Sequence, residues 1–149
     1  MSTMIDKKDG AFLGQNIKGI MMTLIARWNG QMDAARANTE FADVRPADMR
    51  LFAQLRGRTV RLSEIHREMG FSRQAAQQAV ERLIRHDMVA VAVDPNSKRD
   101  KIVSITAKGQ RWRSIAAEQI RLIETEISET LGEAGKEELR RSLLSLAAL

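Results

Sequence analysis

The sequence contains no cysteine, few aromatic residues and no long apolar run, and each absence removes a class of structure or function. Without cysteine the chain has no disulfide, no thiolate nucleophile, no thiolate metal site and no thiol-based redox sensor. The hydrophobic share of 44% is nevertheless ordinary for a protein with a folded core. The longest apolar stretch, residues 20–26, is far shorter than the roughly 20 residues that cross a bilayer, and the N-terminus lacks the apolar stretch of a signal peptide. We therefore expect a folded cytoplasmic protein with no membrane partner.

Histidine is also scarce. The chain has two, His66 and His86, each in a segment with a helical pattern. Isolated histidines are more often surface or core residues than catalytic bases or metal ligands. The sequence therefore predicts no enzyme active site, no metal site and no cofactor.

Positive charge is concentrated in the middle of the chain. Residues 1–44 carry five basic and five acidic side chains, residues 45–113 carry 15 and seven, and residues 114–149 carry four and seven. The middle segment therefore has a net charge of +8 between a neutral and an acidic end. A polyanion-binding module on a separate scaffold has this distribution, although a solvated basic surface would have it too.

Both ends of the chain carry long helical patterns. In residues 11–38 apolar side chains recur at spacings of three and four, in a band wide enough to be covered on more than one side. Thr106 caps a second such pattern, which breaks near Gly132 and Gly135 and continues towards the C-terminus. The fold class that these patterns predict is mainly α, with a small β-hairpin in the middle of the chain.

The middle segment alternates short helices with a hairpin. Pro46 opens a helix that Gly57 ends. Next comes a short helix capped by Ser63, and Ser72 caps a longer one that runs to about His86. Apolar residues then alternate at 88–93 and recur at 102–105, around a turn and the basic residues Lys98, Arg99 and Lys101, which predicts a β-hairpin with a basic tip.

This order of elements over residues 61–106 is typical of a winged helix-turn-helix that binds duplex DNA. The second helix of such a motif enters the major groove, where glutamine can bond adenine and arginine can bond guanine. Basic residues of the hairpin, or wing, would contact phosphates or the minor groove. The predicted DNA-binding residues are Ser63, Ser72, Arg73, Gln74, Gln77, Gln78, Arg82, Lys98, Arg99 and Lys101. A solvated helix face and an ordinary basic turn are the alternatives.

Five short motifs resemble the MarR family of bacterial transcriptional regulators. They are LSEI at 62–65, FS at 71–72, VERL at 80–83, DPNSKR at 94–99 and VSITAKG at 103–109. Two positions depart from that family. Ser97 replaces an aspartate that usually orients the wing arginine, a role Asp100 could take, and Asp87 replaces a glycine before the first wing strand. Since Asp tolerates the left-handed conformation, we expect little consequence there.

The resemblance implies a homodimeric DNA-binding regulator, by default a repressor, that reads an inverted repeat. An N-terminal dimerisation helix (1–44) and C-terminal dimerisation helices (110–149) would flank a winged module (45–109) in one compact chain. Two recognition helices would then meet half-sites about 34 Å apart. An apolar terminal helix would equally suit a monomeric bundle.

Related regulators bind aromatic acids or other effectors where the dimer helices meet the DNA module. Trp28, Met32, Phe52 and Trp112 are candidates for such a pocket here, with core packing as the alternative for each. The competing function is a sequence-neutral architectural or RNA-binding protein. The exposed glutamines argue against it, because non-specific binders rely chiefly on Lys and Arg.

Overall fold

The computed structural model describes residues 6–97 and 99–148 of the chain. Lys98, predicted at the hairpin tip, lies outside them. The elements in chain order are α1 (Lys7–Gln15), α2 (Ile17–Ala35), α3 (Pro46–Gln54), β1 (Val60–Arg61), α4 (Leu62–Met69), α5 (Arg73–Arg85), β2 (Val89–Val93), β3 (Lys101–Ile105) and α6 (Ala107–Ala147). The fold is mainly helical with a small antiparallel sheet, as the sequence predicts. No helix in the described ranges is long and apolar enough to cross a membrane.

The N-terminal helical pattern forms two helices rather than one. Asn16 separates α1 from α2, because its Oδ1 accepts a hydrogen bond from the Gly19 N–H at 2.8 Å and its Nδ2 donates to the Leu13 carbonyl at 2.9 Å. The same side chain thus ends one helix and caps the next. The prediction of one continuous helix over residues 11–38 is wrong on this point, and α2 ends at Ala35.

The caps predicted for the two helices that flank the hairpin are confirmed. Ser72 Oγ accepts from the Ala75 N–H at 3.0 Å at the start of α5, and Thr106 Oγ1 accepts from the Gly109 N–H at 3.0 Å at the start of α6. The cap predicted for α4 is wrong. That helix begins at Leu62, with Arg61 at the N-cap position, so Ser63 lies inside its first turn and its hydroxyl has another partner.

The sheet has the order β1-β3-β2, and all pairings are antiparallel. Val103 of β3 lies between Val60 of β1 and Val91 of β2. The helix-turn-helix is therefore joined to the hairpin through β1, whose residues directly precede α4. Asp87 has a φ of 58°, which confirms that aspartate accepts the left-handed conformation expected between α5 and β2.

One core, built from residues 41–112, holds the middle of the chain together. Its members are fully or nearly fully buried: Phe41, Val44, Met49, Leu51, Phe52, Leu55, Val60, Ile65, Ala76, Ala79, Val80, Leu83, Met88, Val89, Val103 and Trp112. Phe41 and Trp112 pack with ring centroids 5.4 Å apart in a tilted arrangement. A Cβ at Gly109 would lie 2.5 Å from the carbonyl oxygen of Met88, the residue before β2, so the start of α6 packs this closely only because residue 109 is glycine.

The C-terminal helix α6 folds back on itself at Gly132. This residue has φ 77° and ψ 164°, far from helical values, whereas Gly135 is helical. Arg140 Nη2 lies 2.8 Å from Glu124 Oε2, although 16 residues of straight helix would separate them by about 24 Å. The predicted break is therefore confirmed at Gly132, and the two segments of α6 lie side by side.

Candidate nucleic-acid interface

The helix-turn-helix is formed by α4, a three-residue turn and α5. Gly70 ends α4 in the left-handed conformation with φ 70°, which glycine adopts without strain. Ser72 then caps α5. The inward face of that helix buries Ala76, Ala79, Val80 and Leu83, whereas Ile84 is 41% exposed. Its outward face presents Arg73, Gln74, Gln77 and Gln78 to solvent.

A cleft of about 440 Å³ separates the first turns of α4 and α5 from the wing. Five of the predicted DNA-binding residues line it together: Ser63, Arg73, Gln77, Arg99 and Lys101. Ser72, Gln74 and Gln78 are exposed but do not line the cleft. The two halves of the predicted interface are thus brought to one face, as a groove-reading helix with an adjacent wing requires.

The cleft is cationic. Arg73, Arg99 and Lys101 are exposed, and none of them forms an ion pair with another described residue. His66 also lines it, and Asp100 supplies the one carboxylate among the lining residues. Cations that no described residue neutralises are available to phosphates.

Two contacts that the sequence did not reveal tie the wing to the start of α4. Ser63 Oγ donates to Asp100 Oδ2 at 2.7 Å, and this bond lowers the pKa of the Asp100 carboxyl. Arg61 Nε lies 3.0 Å from Oδ2 of the buried Asp94, an ion pair in which the N–H is not aligned for a hydrogen bond. Asp100 is therefore engaged with Ser63, rather than orienting Arg99 as the sequence suggested.

Arg82 also has a partner that the sequence did not indicate. Its Nε and Nη2 donate to the two carboxylate oxygens of Asp48 at 2.9 and 3.0 Å, and this bidentate pair raises the pKa of Arg82. Asp48 is 1% exposed, so α5 is held to α3 through a buried carboxylate. A DNA contact by Arg82 stays a prediction, but two of its guanidinium nitrogens are already bonded to Asp48.

A second cavity, of about 290 Å³, lies where α2, α3 and α6 meet. Three of the four predicted effector residues, Met32, Phe52 and Trp112, line it, and Trp28 does not. Phe52 and Trp112 are 2% and 3% exposed, so both belong to the core and expose little surface to the cavity. Trp28 is half-buried, and its Nε1 has no hydrogen-bond partner in the described part of the chain.

Arginines surround this cavity, and one of them is buried. Arg36 is 5% exposed, and its Nη1 donates to Asp33 Oδ1 at 2.8 Å. Its Nε has no hydrogen-bond partner among the described residues, an arrangement that costs free energy unless an acceptor arrives. Arg50, Arg56 and Arg113 also line the cavity, so its apolar floor lies next to cations.

The two histidines occupy different positions, because His66 lines the cleft and His86 does not. His66 is half-buried beside the cleft, and His86 follows the last turn of α5 as its C-cap residue. In the described ranges, no three His, Asp or Glu side chains come close enough together to hold a metal ion.

Solved structures of the MarR family share this fold. Streptococcus pneumoniae FabT, crystallised in complex with DNA, matches with a TM-score of 0.75 and 13% identity over 90% of this chain and 94% of that one. The MarR protein from Peptoclostridium difficile matches with 0.72 and 19% over 99% and 93%. A probable transcriptional regulator from Pseudomonas aeruginosa matches with 0.67 and 20% over 90% and 98%.

No model of a known protein family matches the chain, and no curated protein matches it significantly. The similarity therefore rests on the solved structures, whose alignments cover nearly the whole chain. The MarR-like winged helix fold that the sequence motifs indicated is confirmed.

Proposed function

We propose that the protein is a homodimeric bacterial transcriptional regulator that represses from an inverted-repeat operator in the cytoplasm. One observation carries the proposal: Arg73, Arg99 and Lys101, none of them paired with a described residue, share a cleft beside the exposed glutamines of α5. Cations bind phosphates and set the register of the helix on DNA, while glutamines bond base edges. FabT, which shares the fold, was crystallised in complex with DNA.

A second copy of the chain would cover the apolar surface of the terminal helices. Ile17 and Met22 of α2 are 75% and 62% exposed, and Leu144 of α6 is 62% exposed. Further apolar side chains on α1, α2 and α6 are exposed: Phe12, Leu13, Ile20, Met21, Ile25, Ile120, Leu122, Leu131, Leu139, Leu143 and Leu146. Soluble monomers rarely leave so much apolar surface in water. Two modules related by a two-fold axis would read half-sites about 34 Å apart.

Sequence-specific binding is tested with the full chain and two duplexes. Fluorescence anisotropy would compare DNA from the protein's own promoter region with a scrambled duplex of equal length, at ~150 mM salt. A regulator binds the promoter duplex about 10³-fold or more tightly than the scrambled one. Equal affinities would favour the sequence-neutral architectural function instead.

Single substitutions distinguish the phosphate-binding residues of the interface from the base-reading ones. Arg99→Ala should weaken binding to every duplex and make the salt dependence shallower by about one phosphate contact. Gln74→Ala or Gln78→Ala should instead remove discrimination at one base pair, worth about 1–3 kcal/mol. Arg141→Ala, which removes the same charge from an exposed position near the end of α6, is the control and should leave the slope unchanged. An unchanged slope for Arg99→Ala would contradict the phosphate contact.

The proposed effector is a small aromatic acid in the cavity between α2, α3 and α6. An apolar floor suits an aromatic ring, and the buried Arg36 Nε would bond a carboxylate. In Trp28→Phe the cavity residue Trp112 is the one remaining tryptophan, so benzoate should change its fluorescence and weaken DNA binding. Arg36→Met should lose both responses. Benzoate that changes neither signal would contradict an aromatic-acid effector.

A further inference from the structure

Asp100 occupies the base of the wing, where β3 begins. Its Oδ2 accepts from Ser63 Oγ at 2.7 Å, and its Oδ1 accepts from the Lys101 N–H at 2.9 Å. Its backbone carbonyl accepts from the Asp94 N–H at 3.1 Å, which closes the wing loop. One residue therefore joins both ends of the loop and the first turn of α4.

The opposite end of the loop is tied to the same part of the chain. Asp94 is 3% exposed, its Oδ1 accepts from the Asn96 N–H at 2.9 Å, and its Oδ2 pairs with Arg61. Arg61 and Ser63 lie two residues apart, where β1 passes into α4. The loop from Asp94 to Asp100 is thus fixed at both ends to the segment that leads into the helix-turn-helix.

The position of Asp100 is electrostatically unfavourable for a protein that binds a polyanion. It lies between Arg99 and Lys101 in the chain and lines the cationic cleft. A carboxylate there repels phosphate and offsets part of the attraction of its neighbours. Charge alone therefore predicts that removing Asp100 strengthens DNA binding, whereas loss of an anchor predicts the opposite.

We propose that Asp100 is a positioning residue for DNA binding, which fixes the wing to the start of α4 through Ser63 and so holds Arg99 and Lys101 beside Arg73. The inference rests on the proposed DNA-binding function. It also revises the predicted role of Ser63, whose hydroxyl proton is donated to Asp100 and not to a phosphate. The anchor offsets the repulsion that its own charge introduces.

Two substitutions of Asp100 distinguish its role as an anchor of the wing from the effect of its charge. Asn at position 100 removes the charge but keeps both contacts, with Oδ1 accepting from the Lys101 N–H and Nδ2 donating to Ser63 Oγ. Ala removes the charge and both contacts. Binding to a mixed-sequence duplex of about 30 base pairs, which spans two half-sites one turn apart, would be measured over a range of salt concentrations.

The expected results have opposite signs. Asp100→Ala should weaken binding about 3- to 10-fold, whereas Asp100→Asn should bind more tightly than the wild type. Asp43→Asn, an equal charge change at an exposed loop residue outside the cleft, should change affinity less than Asp100→Asn does. If Ala and Asn at position 100 both strengthen binding, Asp100 is only a repelling charge and the proposal is overturned.

A double-mutant cycle and hydrogen exchange complete the test. Ser63→Ala and Asp100→Ala should be non-additive in affinity, because each removes the same bond, while additive losses would contradict the proposal. In free protein, both variants should speed amide exchange in the wing loop, at Asp94 and Lys101 above all. If the wild type binds no duplex, the proposed function fails, and the exchange data still decide whether Asp100 anchors the wing. Unchanged exchange in both variants would then overturn the anchor.

Discussion

The module formed by residues 41–112 differs from its flanking helices in the exposure of its apolar side chains. In the module, side chains such as Leu51, Ile65 and Leu83 are fully buried within one chain. On α1, α2 and residues 113–147 of α6, many apolar side chains at the same helical spacing are exposed and others are partly buried, and Ile123 is the single buried one among the described residues of these segments. A core that is buried within one chain needs no partner chain, whereas a stripe of exposed apolar side chains does. This difference supports the proposal that the first region reads DNA and the second assembles the dimer.

Charge placed on the uncovered stripe should have the largest effect. Ile25→Asp would put a carboxylate into the proposed dimer interface, so sedimentation equilibrium should show a shift from dimer to monomer. Loss of bivalent binding should then weaken affinity for an inverted repeat about 10²- to 10⁴-fold. Val93→Asp, at an exposed apolar residue of the wing, is the control and should leave the oligomeric state unchanged. A wild type that is monomeric at every concentration would contradict a role of the flanking helices in dimerisation.

Truncation of the module core comes next in size. Leu83 is 0% exposed, so Leu83→Ala should lower the free energy of unfolding by about 2–5 kcal/mol through lost burial and a residual cavity. The neighbouring Ile84 is 41% exposed, and Ile84→Ala should have a much smaller effect. Urea denaturation measures both. Equal losses at the two positions would mean that the inward face of α5 has been misassigned.

The link between α3 and α5 should contribute less than the core. Asp48→Asn leaves the Arg82 guanidinium without its carboxylate and should cost about 1–3 kcal/mol, since Asp48 is buried and Arg82 is partly solvated. It should also weaken DNA binding, because α5 loses its attachment to α3. Asp43→Asn, three residues before Pro46 and exposed, serves as the control in the same denaturation experiment. Loss of stability without any change in DNA affinity would limit the pair to a structural role.

The smallest effect is expected in the fold-back of α6. Hydrogen bonds from Arg140 lower the pKa of Glu124 below its usual value of 4.5. A lowered folded-state pKa stabilises the protein above about pH 4.5 and loses that contribution as pH falls through the folded pKa. Glu124→Gln should therefore reduce the melting temperature slightly at pH 7, and this deficit should shrink as the pH is lowered below 4.5. A deficit that is independent of pH would show that the ion pair does not stabilise the fold-back.

The features that the sequence predicted correctly are those set by neighbouring residues. Ser72 and Thr106 cap helices through bonds three residues away, Pro46 opens one, and Gly132 ends the first segment of α6. The break at Asn16 was missed, because a single polar side chain interrupts an apolar pattern that otherwise continues across it. A helix cap or break can be predicted from the sequence where the residue type has one dominant structural role.

The contacts that organise the site join residues far apart in sequence. Ser63 and Asp100 are 37 positions apart, and Asp48 and Arg82 are 34 apart. No periodicity or capping rule reports such a pair, so Ser63 was interpreted as a helix cap and Arg82 as a DNA contact. The direction in which α6 folds back was equally unreadable, since a glycine marks a break without giving its angle.

Selection from a pool of random duplexes tests the central claim most directly. The purified protein would be incubated with the pool at ~150 mM salt, and the bound DNA would be recovered and sequenced. A dimeric reader of the proposed kind should enrich an inverted repeat whose half-site centres lie about 10 base pairs apart. Bound DNA with no enriched motif would contradict sequence reading by α5, and an enriched single half-site would contradict the dimer.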